Sequence, residues 1–261
     1  MNASLVDLAR EIALEAGELA RRRRAEGVRV AASKSTLADI VTDADREVEA
    51  LIRARLGAER PGDGFLGEES DASESASGVT WVVDPIDGTV NYASGMPTYA
   101  VSIAAVRDDG VRLAGAVRLP ALEETFVAAR GEGAFSEQDG SRHRLHVSTE
   151  YPAGALLGTG FGYDPATHAG DIATVQRVMP LARDLRRIGA AAVDLSYVAA
   201  GRLDGYFERG LKPWDVAAGF LIVTEAGGVA ETLPADAFGR KMTIAGHAGL
   251  VARIAERVRE Q

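Results

Sequence analysis

Apolar positions recur at helical spacing from the start of the 261-residue chain. Leu5, Leu8, Ile12 and Leu19, with alanines between them, predict an amphipathic helix from about Ser4 to Arg24. Its basic end, Arg21 to Arg24, suits the negative pole of a helix dipole as well as it suits an anionic partner. A second helical stripe, Val48, Leu51, Ile52 and Leu56, predicts a helix from Asp43 to Leu56 with Thr42 as its N-cap. Arg60 to Gly64 reads as a turn, Phe65-Leu66-Gly67 as a short apolar run and Ser70 to Gly78 as a polar loop. The period then shortens. Trp81, Val82 and Val83 read as the end of a buried strand. Tyr99 to Val106 and Val111 to Leu119 flank the hairpin signal Asp108-Asp109-Gly110. Thr125 to Ala129 and an extended stretch from Ala134 to Val147, folded at Asp139-Gly140, continue an antiparallel meander.

From about Tyr151 strands and helices alternate. Ala155–Gly158, Asp184–Ile188, Leu203–Phe207, Val229-Ala230 and Met242–Ala245 read as strands. His168–Leu181, Ala190–Ala200, Trp214–Ala226 and Gly249–Arg259 read as helices, the third closed by Gly227-Gly228. The class is α+β. An N-terminal α+β half, residues 1–148, is followed by a smaller α/β half, residues 149–261, with no repeat or linker, so the two are expected to pack as one unit.

Composition narrows the chemistry. With no cysteine there is no disulfide, thiolate zinc site or cysteine nucleophile. The formal net charge of −9 argues against a general nucleic-acid binder, whose footprint is basic. It also repels anionic substrates unless bound cations reverse the local field. No apolar run is long enough to cross a bilayer, and the N-terminus lacks the apolar centre of a signal peptide, so a cytoplasmic location is expected.

The stretch Trp81 to Pro97 concentrates the candidate chemistry. Asp84 follows the strand, Pro85 holds the backbone extended, and Asp87 comes close behind. Gly88 and Thr89 then offer backbone N–H groups where another chain can approach closely. Acceptors for a hard cation thus precede donors for an anion. The same residues also make ordinary turns, and Asp43 and Asp45 favour a helix start for purely structural reasons. Further carboxylates stand at Glu68-Glu69 and at Asp215, within Lys212-Pro213-Trp214-Asp215. If Asp45, Glu68, Glu69, Asp84, Asp87 and Asp215 converge, their repulsion demands compensation. The four histidines have no zinc-site spacing, so oxygen ligands point to Mg²⁺ first and Mn²⁺ next.

Three segments in order, GEES at Gly67–Ser70, DPIDGTVNY at Asp84–Tyr92 and WDVAAG at Trp214–Gly219, resemble the inositol monophosphatase family of Mg²⁺-dependent, Li⁺-inhibited sugar phosphatases. The resemblance extends from Lys34 to Gly228. It implies a layered αβαβα fold, a homodimer and two or three Mg²⁺ per subunit. By the same resemblance Glu68, Asp84 and the Ile86 carbonyl hold a first metal. Asp84, Asp87 and Asp215 hold a second, and Glu68 borders a third. Gly88 and Thr89 resemble the phosphate cradle. Asp45, Glu69 and Thr89 resemble the groups that activate water, with Lys34 nearby. Glu208 resembles the carboxylate that accepts hydrogen bonds from substrate hydroxyls, and Arg187-Ile188-Gly189-Ala190-Ala191 resembles the substrate-side loop, with Gly189, Ala190 and Ala191 as its substrate-binding residues. Ala190 stands where the family usually has Ser or Thr, so one polar contact to a sugar hydroxyl is absent.

The reaction implied is in-line attack of metal-activated water on a phosphomonoester. Inositol 1-phosphate leads as substrate. Histidinol phosphate and fructose 1,6-bisphosphate are alternatives. Phosphoadenosine phosphate is a weaker one, because Glu208 suits hydroxyls better than a base. From another class, some bacterial relatives act as partners in transcription complexes. An interaction module would have no need to keep mutually repelling carboxylates together.

Overall fold

The computed structural model describes residues 2–28, 30–33 and 40–259. The first helix, α1, runs Asn2–Glu26 and buries Leu5, Ala9, Ile12, Ala13, Ala16 and Ala20 along one stripe. Two short strands, β1 (Val30–Ser33) and β2 (Ile40–Thr42), pair antiparallel. The hydrophobic pattern predicts neither, because each is shorter than a readable period. The second helix, α2 (Asp43–Glu59), starts at Thr42 as expected, one turn longer than its apolar stripe.

Seven strands then form one sheet: β3 (Gly64–Gly67), β4 (Val79–Asp87), β5 (Ala100–Arg107), β6 (Arg112–Leu119), β7 (Glu124–Ala129), β8 (Gly133–Gln138) and β9 (Ser141–Arg144). Their spatial order is their sequence order. The expected meander accounts for β4 to β9, which pair antiparallel, while β3 joins β4 in parallel. A short helix, α3 (Thr89–Ser94), follows β4. β4 differs from expectation. It does not stop at Asp84 but bulges there and resumes pairing at Asp87 with Ala100. Pro85 has no N–H to give the ladder, so the irregularity falls where the proline is.

The second sheet contains β10 (Ala155–Thr159), β11 (Ala182–Arg186), β12 (Gly205–Arg209), β13 (Val229–Leu233) and β14 (Met242–Gly246), in the order β11-β10-β12-β14-β13. It is mixed, parallel around β10 and antiparallel around β14. Four helices accompany it: α4 (Pro165–Val178), α5 (Ala191–Ala199), α6 (Pro213–Glu225) and α7 (Ala248–Arg259). α4 begins earlier than the apolar pattern indicates, because Asp164 accepts a hydrogen bond from the Ala166 N–H and Pro165 takes the first position.

Alternation along the strands builds the layers. Trp81 and Val83 of β4, and Val101, Ile103 and Ala105 of β5, face α1 and α2. Val82, Ala100 and Ala104 face the opposite way, into a middle layer made by α5 and α6. Across that layer Tyr206 and Ala245 of the second sheet close the core. Phe207 and Ile244 point outward to Val251 and Ile254 of α7. Helices and sheets therefore alternate in five layers, the expected αβαβα arrangement. Each large aliphatic side chain buried in these layers contributes about 1.5–3 kcal/mol. Among the described residues no helix is long and apolar enough to cross a membrane.

Candidate active site

The β4 bulge, the start of α3, the start of α5 and the start of α6 meet at one cavity of 510 Å³, a size suited to a small ligand. Glu68, Asp84, Ile86, Asp87, Gly88, Thr89, Gly189, Ala190, Ala191, Glu208 and Asp215 all line it. The sequence separates these residues by up to 147 positions. Asp45 and Glu69 are not among the lining residues, although Asp45 lies 3.3 Å from the hydroxyl of Thr89, which is, and Lys34 lies outside the described residues.

Backbone N–H groups hold Asp84, Asp87, Asp215 and Asp45. Asp84 sits in the bulge and accepts a hydrogen bond from the Ile86 N–H at 3.1 Å. Asp87 reaches across the layers to the first turn of α5, where the N–H groups of Ala191 (3.2 Å) and Ala192 (2.6 Å) donate to its two oxygens. That places a carboxylate at a positive helix end. Asp215, third residue of α6, accepts from the Lys212 N–H at 2.6 Å. Asp45 accepts from the Thr42 N–H at 2.7 Å and from the Thr42 hydroxyl. Its other oxygen lies 3.3 Å from the Thr89 hydroxyl, which also lies 3.1 Å from the Ile86 carbonyl.

Gly88 has a left-handed backbone, φ 86°, as the cap of α3. A side chain there would also come within 2.9 Å of Ala190. Glycine is thus required twice, by conformation and by the close approach of the loop that carries Ala190. Asn91 fixes that loop from the other side, donating to the carbonyls of Thr98 (2.7 Å) and Ile188 (2.8 Å).

The electrostatics are those of crowded acids. Burial first, then the charges of Glu68, Asp87, Asp215 and Asp45, push the Asp84 carboxyl well above its usual range. Burial and Asp215 do the same to Asp87, against the hydrogen bond from Ala192. Burial pushes Asp215 up to about 7, against the hydrogen bond from the Lys212 N–H. Burial also lifts Asp45 to about 6 and Glu208 to about 7. Every neighbouring charge that acts strongly on Asp84 is another carboxylate. Among the described residues no three acidic or imidazole groups already enclose a common point as metal ligands would. The donor set nonetheless fits a hard cation. It is all oxygen, it lines one cavity, and its mutual repulsion is what a cation would relieve.

A model of the inositol monophosphatase family matches residues 1–260. The chain belongs to that family. Family membership brings the enzyme class with it: this is a phosphoric monoester hydrolase. Inositol-1-monophosphatase SuhB of Mycobacterium tuberculosis is 45% identical over 240 residues, covering 86% of this chain and 82% of the relative. Nus factor SuhB of Escherichia coli is 40% identical over 227 residues, covering 86% and 84%. The crystal structure of extragenic suppressor protein SuhB from Bartonella henselae superimposes with a TM-score of 0.88 at 35% identity, covering 98% of this chain and 99% of that one.

Two members of the site carry no motif. Glu49 of α2 is buried, and its Oε2 accepts a hydrogen bond from the Glu69 N–H at 2.8 Å. Its other oxygen has no hydrogen-bond partner among the described residues. It braces the Glu68-Glu69 turn from below. The signal was present in the spacing, since Asp45, Glu49, Ile52 and Leu56 fall on one helix face. Tyr206 is the other, and nothing in its local sequence marks it.

Proposed function

We propose that this phosphatase hydrolyses a small polyol phosphate, inositol 1-phosphate foremost, in a Mg²⁺-dependent reaction. The observation that carries the proposal is one cavity lined together by Glu68, Asp84, Asp87 and Asp215, by Gly88 and Thr89, and by Glu208. Glu68, Asp84, Asp87, Asp215 and the Ile86 carbonyl would hold two or three Mg²⁺, with Mn²⁺ a substitute. Bound there, divalent cations would supply Lewis-acid stabilisation of phosphoryl charge and a lowered water pKa.

The chain's own groups do the rest. Gly88 and Thr89 present backbone N–H groups to the phosphate. The Thr89 hydroxyl lies between the Ile86 carbonyl and Asp45, where it would orient an attacking water and pass its proton to Asp45. With its carboxyl at about 6, Asp45 is ionised at neutral pH yet basic enough to take that proton. Glu69, whose charge acts on Asp45, would support the same step. Glu208 would accept a hydrogen bond from a ring hydroxyl, beside Gly189, Ala190 and Ala191. The reading extends to a cytoplasmic, Li⁺-sensitive homodimer. It includes the division into halves near residue 148 that act as one unit, supported by the α5–α6 layer packed on the N-terminal sheet.

A second reading draws on the name of the E. coli relative, Nus factor SuhB: a protein-interaction role in a transcription complex. The intact acidic set favours catalysis, because an interaction surface gains nothing from buried, mutually repelling carboxylates. A panel of inositol 1-phosphate, histidinol phosphate and fructose 1,6-bisphosphate, read as phosphate release with and without Mg²⁺, decides. Fastest release from inositol 1-phosphate is expected. No release from any of the three would overturn the proposal.

A further inference from the structure

Glycine at position 160 has no conformational reason. Its backbone is not among those with positive φ, and it follows β10 where other residues would serve. Its reason is spatial: a methyl group built on Gly160 would fall inside the carboxyl group of Glu208. Glu208 thus occupies the room a side chain at 160 would take. The strands bring this about, since Thr159 of β10 is in register with Phe207 of β12.

Tyr206 lies two residues before Glu208 on β12, so both side chains leave the same face of the sheet. The tyrosine is fully buried, and its hydroxyl donates to Glu208 Oε2. Burial and the charges of Glu208 and Asp194 push that hydroxyl well above its usual range, so it remains a donor. One oxygen of Glu208 is thereby committed to the protein interior. Glu208 itself lines the cavity.

We propose that Tyr206 and Gly160 are positioning residues that set the selectivity of the cavity for hydroxyl-bearing phosphate esters, by fixing a single acceptor oxygen of Glu208 towards the substrate. The inference rests on the phosphatase reading and concerns the leaving group alone. Gly160 grants the carboxyl its place, Tyr206 holds it there, and the phosphate end of the cavity is untouched by either.

The test compares Tyr206→Phe and Gly160→Ala with the wild type on inositol 1-phosphate and on phenyl phosphate, which has no hydroxyl, with Mg²⁺ present. Tyr206→Phe removes one oxygen and no volume, so it keeps the test valid if Gly160→Ala folds poorly. In Tyr206→Phe, KM for inositol 1-phosphate is expected to rise about tenfold, the worth of one hydrogen bond to a charged group. Its kcat should change little, and both constants for phenyl phosphate should stay within about twofold. Gly160→Ala should show the same one-sided shift, larger. Equal shifts on both substrates, or none, would overturn the inference while leaving the phosphatase reading standing. A wild type that releases phosphate from neither compound would instead overturn the phosphatase reading and this inference with it.

Discussion

Asp84→Asn is expected to lower Mg²⁺-dependent phosphate release by roughly two to three orders of magnitude, the loss typical when one preorganised electrostatic group is removed from an active site. The fold should survive. Asparagine has nearly the shape of aspartate and keeps an oxygen for the Ile86 N–H. It also removes a buried acid whose strong neighbours are Glu68, Asp87, Asp215 and Asp45. In EDTA the melting temperature of the variant should therefore equal or exceed that of the wild type. Steady-state kinetics beside a thermal scan in EDTA checks both parts. Wild-type activity in Asp84→Asn, or a melting temperature many degrees lower, would contradict the account of this residue.

The second large effect concerns pH and the metal together. Asp215 at about 7, Asp45 at about 6 and Glu208 at about 7 all hold their protons more tightly in the folded chain than in the unfolded one, where carboxyls titrate near 4. Asp84 and Asp87 shift in the same direction. A raised folded value means that stability is present at low pH and lost as pH climbs from the unfolded value through the folded one. In EDTA the melting temperature should fall between about pH 4 and about pH 7, opposite to the trend of a protein rich in salt-bridged acids. Saturating Mg²⁺ should reverse the loss, because the cation binds the ionised groups that repel one another without it. At a concentration a hundred times its dissociation constant, a ligand adds about 2.7 kcal/mol, or about 5–10 °C for a chain of this size. The gain should be largest near pH 8 and small near pH 5, where protons compete for the same oxygens. A Mg²⁺ effect independent of pH would contradict the assignment.

The chemistry was legible in the sequence because the acids sit at positions that local rules mark: a strand end, a proline turn and helix starts. The alternation in β4 and β5 and the stripe of α2 were likewise enough to place the sheet and the helices that cover it. What the sequence could not convey is tertiary. Asp87 accepts from N–H groups 104 and 105 residues away, and no local pattern foretells that. Gly160 reads as one more small residue in a loop until Glu208 is seen to fill its space. The continuation of β4 past Pro85 was hidden because a proline ordinarily ends a ladder, and here a bulge absorbs it. The pair β1 and β2 was too short to show a period. Asp164-Pro165 carried a helix-start signal that outweighed the apolar spacing further along.

All of this depends on divalent cations resting among Glu68, Asp84, Asp87 and Asp215. Anomalous diffraction from a crystal grown with Mn²⁺ measures that directly. At least two manganese peaks are expected between these side chains, each within ligand distance of Asp84. Manganese found only elsewhere on the protein, with none among the four carboxylates, would contradict it.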